Sequence, residues 1–191
     1  MLFTLWEVVQ IAITIAALGF IFSGTFRAPK TESEIDLYTE KPNWFSQFNL
    51  EDLKYAAMIA APAVIFHELG HKFLALSYGF TAVYNASFWG LGLGILMRLF
   101  SPGLLFFIPG YVSMSGIGST FNFGLVALMG PIINLIIFGI CTLALNQGWA
   151  PKYDRIFYLS KQINLWLFVF NMLPIPGMDG FQFYRGLYSL L

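Results

Sequence analysis

Residues 53–78 read LKYAAMIAAPAVIFHELGHKFLALSY, a run long enough, at about 1.5 Å per helical residue, to cross a hydrocarbon core of about 30 Å. Apart from Lys54 near its start, its charged and imidazole side chains fall in the second half, at His67, Glu68, His71 and Lys72. The surrounding chain says which solvent this helix meets. Hydrophobic residues make up 58% of the sequence and charged residues 10%, against roughly 25% charged in ordinary soluble domains. A water-soluble fold of this size has no means of hiding that much apolar surface, so the bilayer is the solvent to reason with. The formal charge is zero and no basic run or Arg-rich stripe occurs, which argues against a nucleic-acid partner. Cys141 is the single cysteine. It excludes an intrachain disulfide, and packing in an apolar segment is its default role.

Outward from this helix, Leu2–Phe26 is apolar nearly all round, with Glu7 and Gln10 near its start. It lacks a basic beginning and a clear small-residue cleavage site, so it reads as a retained membrane helix. Arg27–Asp52 turns polar, with Pro29, Pro42 and the acidic residues Glu32, Glu34, Asp36 and Glu40. This stretch is expected to be an extramembrane loop with an interfacial turn at Trp44, Phe45 and Phe48. Asn122–Leu145 is a third expected span. Ile156 to about Leu173 is a fourth, running into PIPGMDG, and Phe181–Leu191 makes a short amphipathic helix. Between Thr81 and Thr120 a strand-like TAVYNASF precedes apolar pieces interrupted by Arg98 and Ser101-Pro102-Gly103, too short individually to span. An arginine at the centre of a lipid-exposed helix costs at least about 2.5 kcal/mol, which favours a membrane-dipping hairpin or paired strands packed on protein. The expected fold is therefore an all-α polytopic membrane protein with about four spanning helices and a short β element, its core at 53–180.

The chemistry lies in His67-Glu68-Leu69-Gly70-His71. Histidines four apart on a helix share a face one turn apart and can share a metal, while the offset Glu68 can reach a water beside it. Imidazole nitrogens suit zinc, whose catalytic sites have three protein ligands and one open position. Such an ion activates water near neutral pH and polarises a carbonyl. The plain alternative is that both histidines hydrogen-bond neighbouring helices. Ionisable groups inside spans are costly and usually functional, which weighs against it. Lys72 can extend to an interface and receives no catalytic role. A third ligand must come from elsewhere, and Asp179 stands out because Pro174, Pro176, Gly177 and Gly180 break the helix around it. An aspartate capping a turn or helix is the competing reading.

These residues resemble the site-2 proteases, a family of intramembrane zinc metalloproteases. HELGH fits the family's HExxH, Asn171–Gly180 fits its NxxPxPxxDG, and Gly130-Pro131-Ile132-Ile133-Asn134 is similar to its small-residue, proline and asparagine motif. The resemblance spans roughly Ala56–Gly180 and is nearest to short archaeal members lacking an inserted PDZ-like or regulatory domain. It implies that His67, His71 and Asp179 hold one zinc ion and that Glu68 acts as general base and then acid. It also implies that Asn134 and Asn171 bind substrate backbone or stabilise the oxyanion. Phe107–Gly118 falls where the family has a β-hairpin that pairs with an extended substrate, with Tyr111, Val112 and Ser113 as edge candidates. The implied partners are the lipid bilayer and a substrate protein with a transmembrane helix. The implied place is a cell membrane, with the site nearer the cytoplasm. A non-catalytic protein that binds metal or unfolded helices on the same scaffold is the alternative, and Glu68, which metal binding alone does not need, favours the enzyme.

The site also constrains topology. If Trp89–Ile108 crossed the membrane once, His71 and Asp179 would fall on opposite sides. The 81–120 region is therefore expected to return to the side on which it began. Lys and Arg are spread over both expected sides, so charge gives no orientation.

Overall fold

The computed structural model describes residues 2–29, 49–100 and 108–191. The acidic run, the expected interfacial turn at Trp44, Phe45 and Phe48, and Ser101-Pro102-Gly103 lie outside them. The helices are α1 (Leu5–Phe22), α2 (Leu50–Ser77), α3 (Phe88–Phe100), α4 (Thr120–Gln147), α5 (Asp154–Asn171) and α6 (Asp179–Tyr188). The strands are β1 (Thr81–Ala86) and β2 (Gly110–Ser115).

Local chemistry sets the helix ends. Thr4 and Glu7 form a reciprocal capping box at α1. Asn49 accepts the Glu51 N–H at 2.9 Å and starts α2 three residues earlier than the apolar pattern suggests. Ser119 caps α4 by accepting from the Asn122 N–H, and Gly148 ends that helix in the left-handed conformation. Pro62 and Pro131 lie inside α2 and α4. Among the described residues, α1, α2 and α4 are long and apolar enough to cross a membrane. The expected fourth span is helical as α5, but Asp154, Arg155 and Lys161 keep it out of that set.

Helix α2 is central and packs against α1, α4, α5 and both strands. Small residues bring the backbones together, as packing without a solvent-driven force between helices requires. A side chain on Gly19 would lie 2.9 Å from the Leu53 carbonyl oxygen of α2. One on Gly186 of α6 would lie 3.1 Å from both Gly124 Cα and the Thr120 oxygen of α4.

The irregular region resolves into two paired strands separated by a helix, α3, that the broken hydropathy of 88–100 did not suggest. β1 and β2 are antiparallel, with Thr81 opposite Ser115, Tyr84 opposite Val112 and Ala86 opposite Gly110. Ala82, Tyr84, Val112 and Met114 face the bundle, where Ala82 packs with Ala75, Phe80 and Val126. Phe80 stacks on Phe123 with ring centroids 4.9 Å apart, tying the end of α2 to the start of α4. The excursion therefore leaves and returns at one end of the bundle. Between the strands, Leu91 of α3 packs on Ile21 of α1, and Arg98 sits over the Phe20 ring at 5.2 Å. Arg98 thus reaches the far end of α1 and avoids its middle.

Gly186→Leu is expected to push α6 off α4 and to lower stability by about 1–3 kcal/mol, the usual range for overpacking. Thermal unfolding in detergent reads this, and an unchanged melting temperature would contradict the close crossing.

Candidate metal centre

Three ligand-type atoms converge between α2 and the start of α6. His67 Nε2 and His71 Nε2 are 3.1 Å apart. Asp179 Oδ2 lies 3.0 Å from the first and 3.4 Å from the second. Atoms bound tetrahedrally to one zinc at about 2.0–2.2 Å stand roughly 3.3–3.6 Å from one another. The triangle therefore has close to the edge lengths that one ion requires, and its donor set of two imidazoles and one carboxylate suits zinc. Among the described residues this is the one cluster of three such groups.

Each imidazole is aimed by a partner on its other nitrogen. His67 Nδ1 donates to Asn134 Oδ1 at 2.6 Å, and His71 Nδ1 donates to the Val126 carbonyl at 2.8 Å. A proton on Nδ1 leaves the Nε2 lone pair free for a metal, the usual arrangement behind a ligating histidine. Asn134 is itself fixed, because its amide donates to Ala63 O at 2.9 Å and to Asn164 Oδ1 at 2.8 Å. Asn164 in turn donates to Ser160 O. Both hydrogens of the Asn134 amide are thus committed, and the residue is 0% exposed. The oxyanion role expected of Asn134 finds no free donor there, and its place is behind His67. Asn171 ends α5 half-buried, and its amide makes no hydrogen bond among the described residues.

Sequence reasoning missed Asn164. The available signal was an asparagine inside the apolar run Ile163–Phe168, seven residues before Asn171 and so on nearly the same helix face.

Backbone shape makes the room. A Cβ on Gly130 would stand 2.5 Å from His71 Cε1 and 2.7 Å from His67 Cε1, so the α4 motif supplies space for both rings. Asp179 is delivered by the broken segment 172–178. Gly177 adopts φ of +96°, a conformation L side chains rarely take. A Cβ on Gly180 would come within 2.5 Å of the Met172 backbone, which explains a glycine directly after the aspartate. Glu68 follows His67 directly on α2 and is buried.

A buried acid beside two histidines and a carboxylate, on a helix able to cross a membrane, defines a metallohydrolase-type centre. Comparison with known proteins gives the class a family. The chain is 30% identical over 179 residues to a Methanocaldococcus jannaschii protein named "Putative zinc metalloprotease", covering 91% of this chain and 81% of that one. It is 26% identical over 157 residues to a Bacillus subtilis protein also named "Putative zinc metalloprotease", covering 72% and 71%. No protein-family model and no solved structure matches it. The chain belongs to the zinc metalloprotease family of the Methanocaldococcus protein.

The purified chain is expected to carry one zinc, to lose it in the His67→Ala, His71→Ala double variant, and to bind it about 10- to 100-fold more weakly in Asn134→Leu, the usual cost of losing a ligand's orienting partner. Elemental analysis and competition with a chelator measure both, and undiminished zinc in the double variant would remove the assignment.

Proposed function

We propose that the chain is an intramembrane zinc metalloendopeptidase of the site-2 type, which hydrolyses peptide bonds in or near the transmembrane segments of other proteins. The observation that carries this reading is the His67, His71 and Asp179 triangle with Glu68 beside it, set in a helix able to cross the membrane. His71 precedes the end of α2 by six residues, or about 9 Å of helix, which favours a site below the membrane surface. By the family resemblance that end of the bundle faces the cytoplasm.

When bound, zinc supplies Lewis-acid polarisation of the scissile carbonyl and a source of nucleophilic water at neutral pH. The chain's own residues do the rest. His67, His71 and Asp179 hold the ion, and Asn134 and Val126 keep the imidazoles in the ligating tautomer. Glu68 accepts the proton from the attacking water and returns it to the leaving amine. Asn171, whose side-chain amide is unengaged among the described residues, is the residue we assign to donate to the carbonyl oxygen as charge develops.

A helical substrate must unwind before its amide reaches the site, and the freed backbone groups then need partners. β2 offers them. The ladder is alternating, so Thr81, Val83 and Asn85 exchange bonds with Ser115, Ser113 and Tyr111, while Val112 and Met114 turn their N–H and C=O away from β1. An added strand would meet those groups, as in other cases of strand addition.

Glu68→Gln is expected to keep zinc and to lose at least about 100-fold in turnover, the lower bound for a general acid–base group. The assay incubates purified protein with a panel of single-span proteins, and near-normal cleavage by the variant would return the chain to the non-catalytic reading. Val112→Pro removes an outward donor and is expected to impair cleavage of a whole membrane substrate with zinc retained, while Ser113→Ala has little effect. Equal activity in wild type and both variants would show that β2 does not receive substrate.

A further inference from the structure

The free edge of β1 is closed by side chains where another sheet would have a strand. Glu7 Oε1 accepts the Tyr84 N–H at 2.8 Å, and Gln10 Oε1 accepts the Ala86 N–H at 2.9 Å. Gln10 Nε2 donates to the Tyr84 carbonyl at 3.4 Å, and Lys72 Nζ donates to the Ala82 carbonyl at 2.9 Å. Lys72 is also ion-paired with Glu7, whose other oxygen accepts the Thr4 N–H at the start of α1. Glu7, Gln10 and Thr14 recur at helical spacing along α1, and all are at most 3% exposed in a helix otherwise apolar. Thr14 completes the row by accepting the Tyr84 hydroxyl at 2.8 Å. None of this is needed to bind metal, and Lys72 has no part in the chemistry above.

The burial of a charged pair is costly unless every remaining group is satisfied. Here the satisfied groups are the outward backbone of one strand. Among the described residues nothing engages the equivalent outward groups of Val112 and Met114 on β2. Among the described residues the two edges of one small sheet are therefore treated in opposite ways, one filled from α1 and α2 and the other without a partner.

We propose that Glu7, Gln10 and Lys72 are positioning residues that make the sheet one-sided, so that an extended peptide segment adds only along Val112–Met114. The ligand class is an unwound polypeptide backbone. The proposal rests on the protease reading for its purpose, but the closed edge is measurable without substrate. To add at β1, a peptide would have to displace three buried side chains, two of them the partners of an ion pair. To add at β2 it displaces no hydrogen-bonded partner among the described residues.

Residue-resolved hydrogen exchange on the zinc-loaded protein in lipid nanodiscs tests this. The Tyr84 and Ala86 amides are expected to exchange at least about tenfold more slowly than those of Val112 and Met114. Gln10→Leu keeps the Glu7–Lys72 pair and suits an apolar helix. It is expected to raise exchange at Ala86 about tenfold while Ser113, inside the ladder, and the zinc content stay unchanged. Gln10→Met serves as a second variant should Gln10→Leu fold poorly. Wild-type amides at Tyr84 and Ala86 that exchange as fast as Val112, or an Ala86 amide indifferent to both variants, would overturn the closed edge. For the occupant, a panel substrate carrying a photoreactive residue near its scissile bond is bound to the Glu68→Gln protein. Crosslinks to Tyr111–Ser113 support the proposal and crosslinks to residues 5–14 of α1 overturn it. If no panel member is cleaved by wild type while the exchange pattern holds, the protease reading fails and the closed edge stands.

Discussion

A polar group in the middle of an apolar bundle has no water to fall back on, so each must find its partner in the chain itself. That constraint organises this protein. His67, His71, Lys72, Asn134, Asn164, Glu7, Gln10 and Thr14 are all buried, and all are engaged with named partners from other elements or the same helix. Among the described residues the buried side-chain atoms left without a partner, Tyr55 Oη and Asp154 Oδ1, lie within the first two turns of α2 and α5. Groups at helix beginnings lie nearest the ends of the bundle, where water and headgroups are at hand.

Satisfying those groups demands close approach, and glycine provides it at the points where the site is assembled. Gly130 leaves the space that two imidazole rings fill, and Gly70 on the same helix as those rings lets α4 come within contact of α2. Gly124 and Gly186 do the same between α4 and α6, which carries Asp179. The metal-type triangle is thus a by-product of two helix contacts, α2 on α4 and α4 on α6, each with small residues at its centre. A bulky side chain at Gly70, Gly124 or Gly186 acts on the site without touching it, whereas one at Gly130 meets the imidazole rings themselves.

The legible part of this architecture was the part written in local spacing. His67 and His71 could be paired from sequence because a helix fixes the geometry of residues four apart. Asp179 was legible from the prolines and glycines that surround it, although its reach to the histidines depended on α6 docking against Gly124. The strands at 81–86 and 110–115 showed as alternating segments, but not the helix between them, since the interruptions that ruled out a span also obscured a shorter helix. Asn164 and the polar row of α1 escaped because their partners lie 30, 65 and 77 positions away in the chain, and nothing in a single sequence marks such pairs. Asn134 was found from its motif, but the bonds that hold its amide to Ala63 and Asn164 were not, because they depend on how three helices pack.

The segment 172–178 has a consequence beyond presenting a carboxylate. It is an arch between two helices, stiffened by two prolines and by a glycine in a conformation few residues share, so α5 and α6 cannot shift independently without moving Oδ2. His67 and Asp179 are about 110 residues apart in sequence, and a contact between them closes a loop of that length, removing much of the unfolded chain's freedom. Whatever cation occupies the triangle thereby acts as a non-covalent staple across most of the chain. Loading the site and consolidating the bundle become one event, and a chelator would loosen the architecture as well as silence the chemistry.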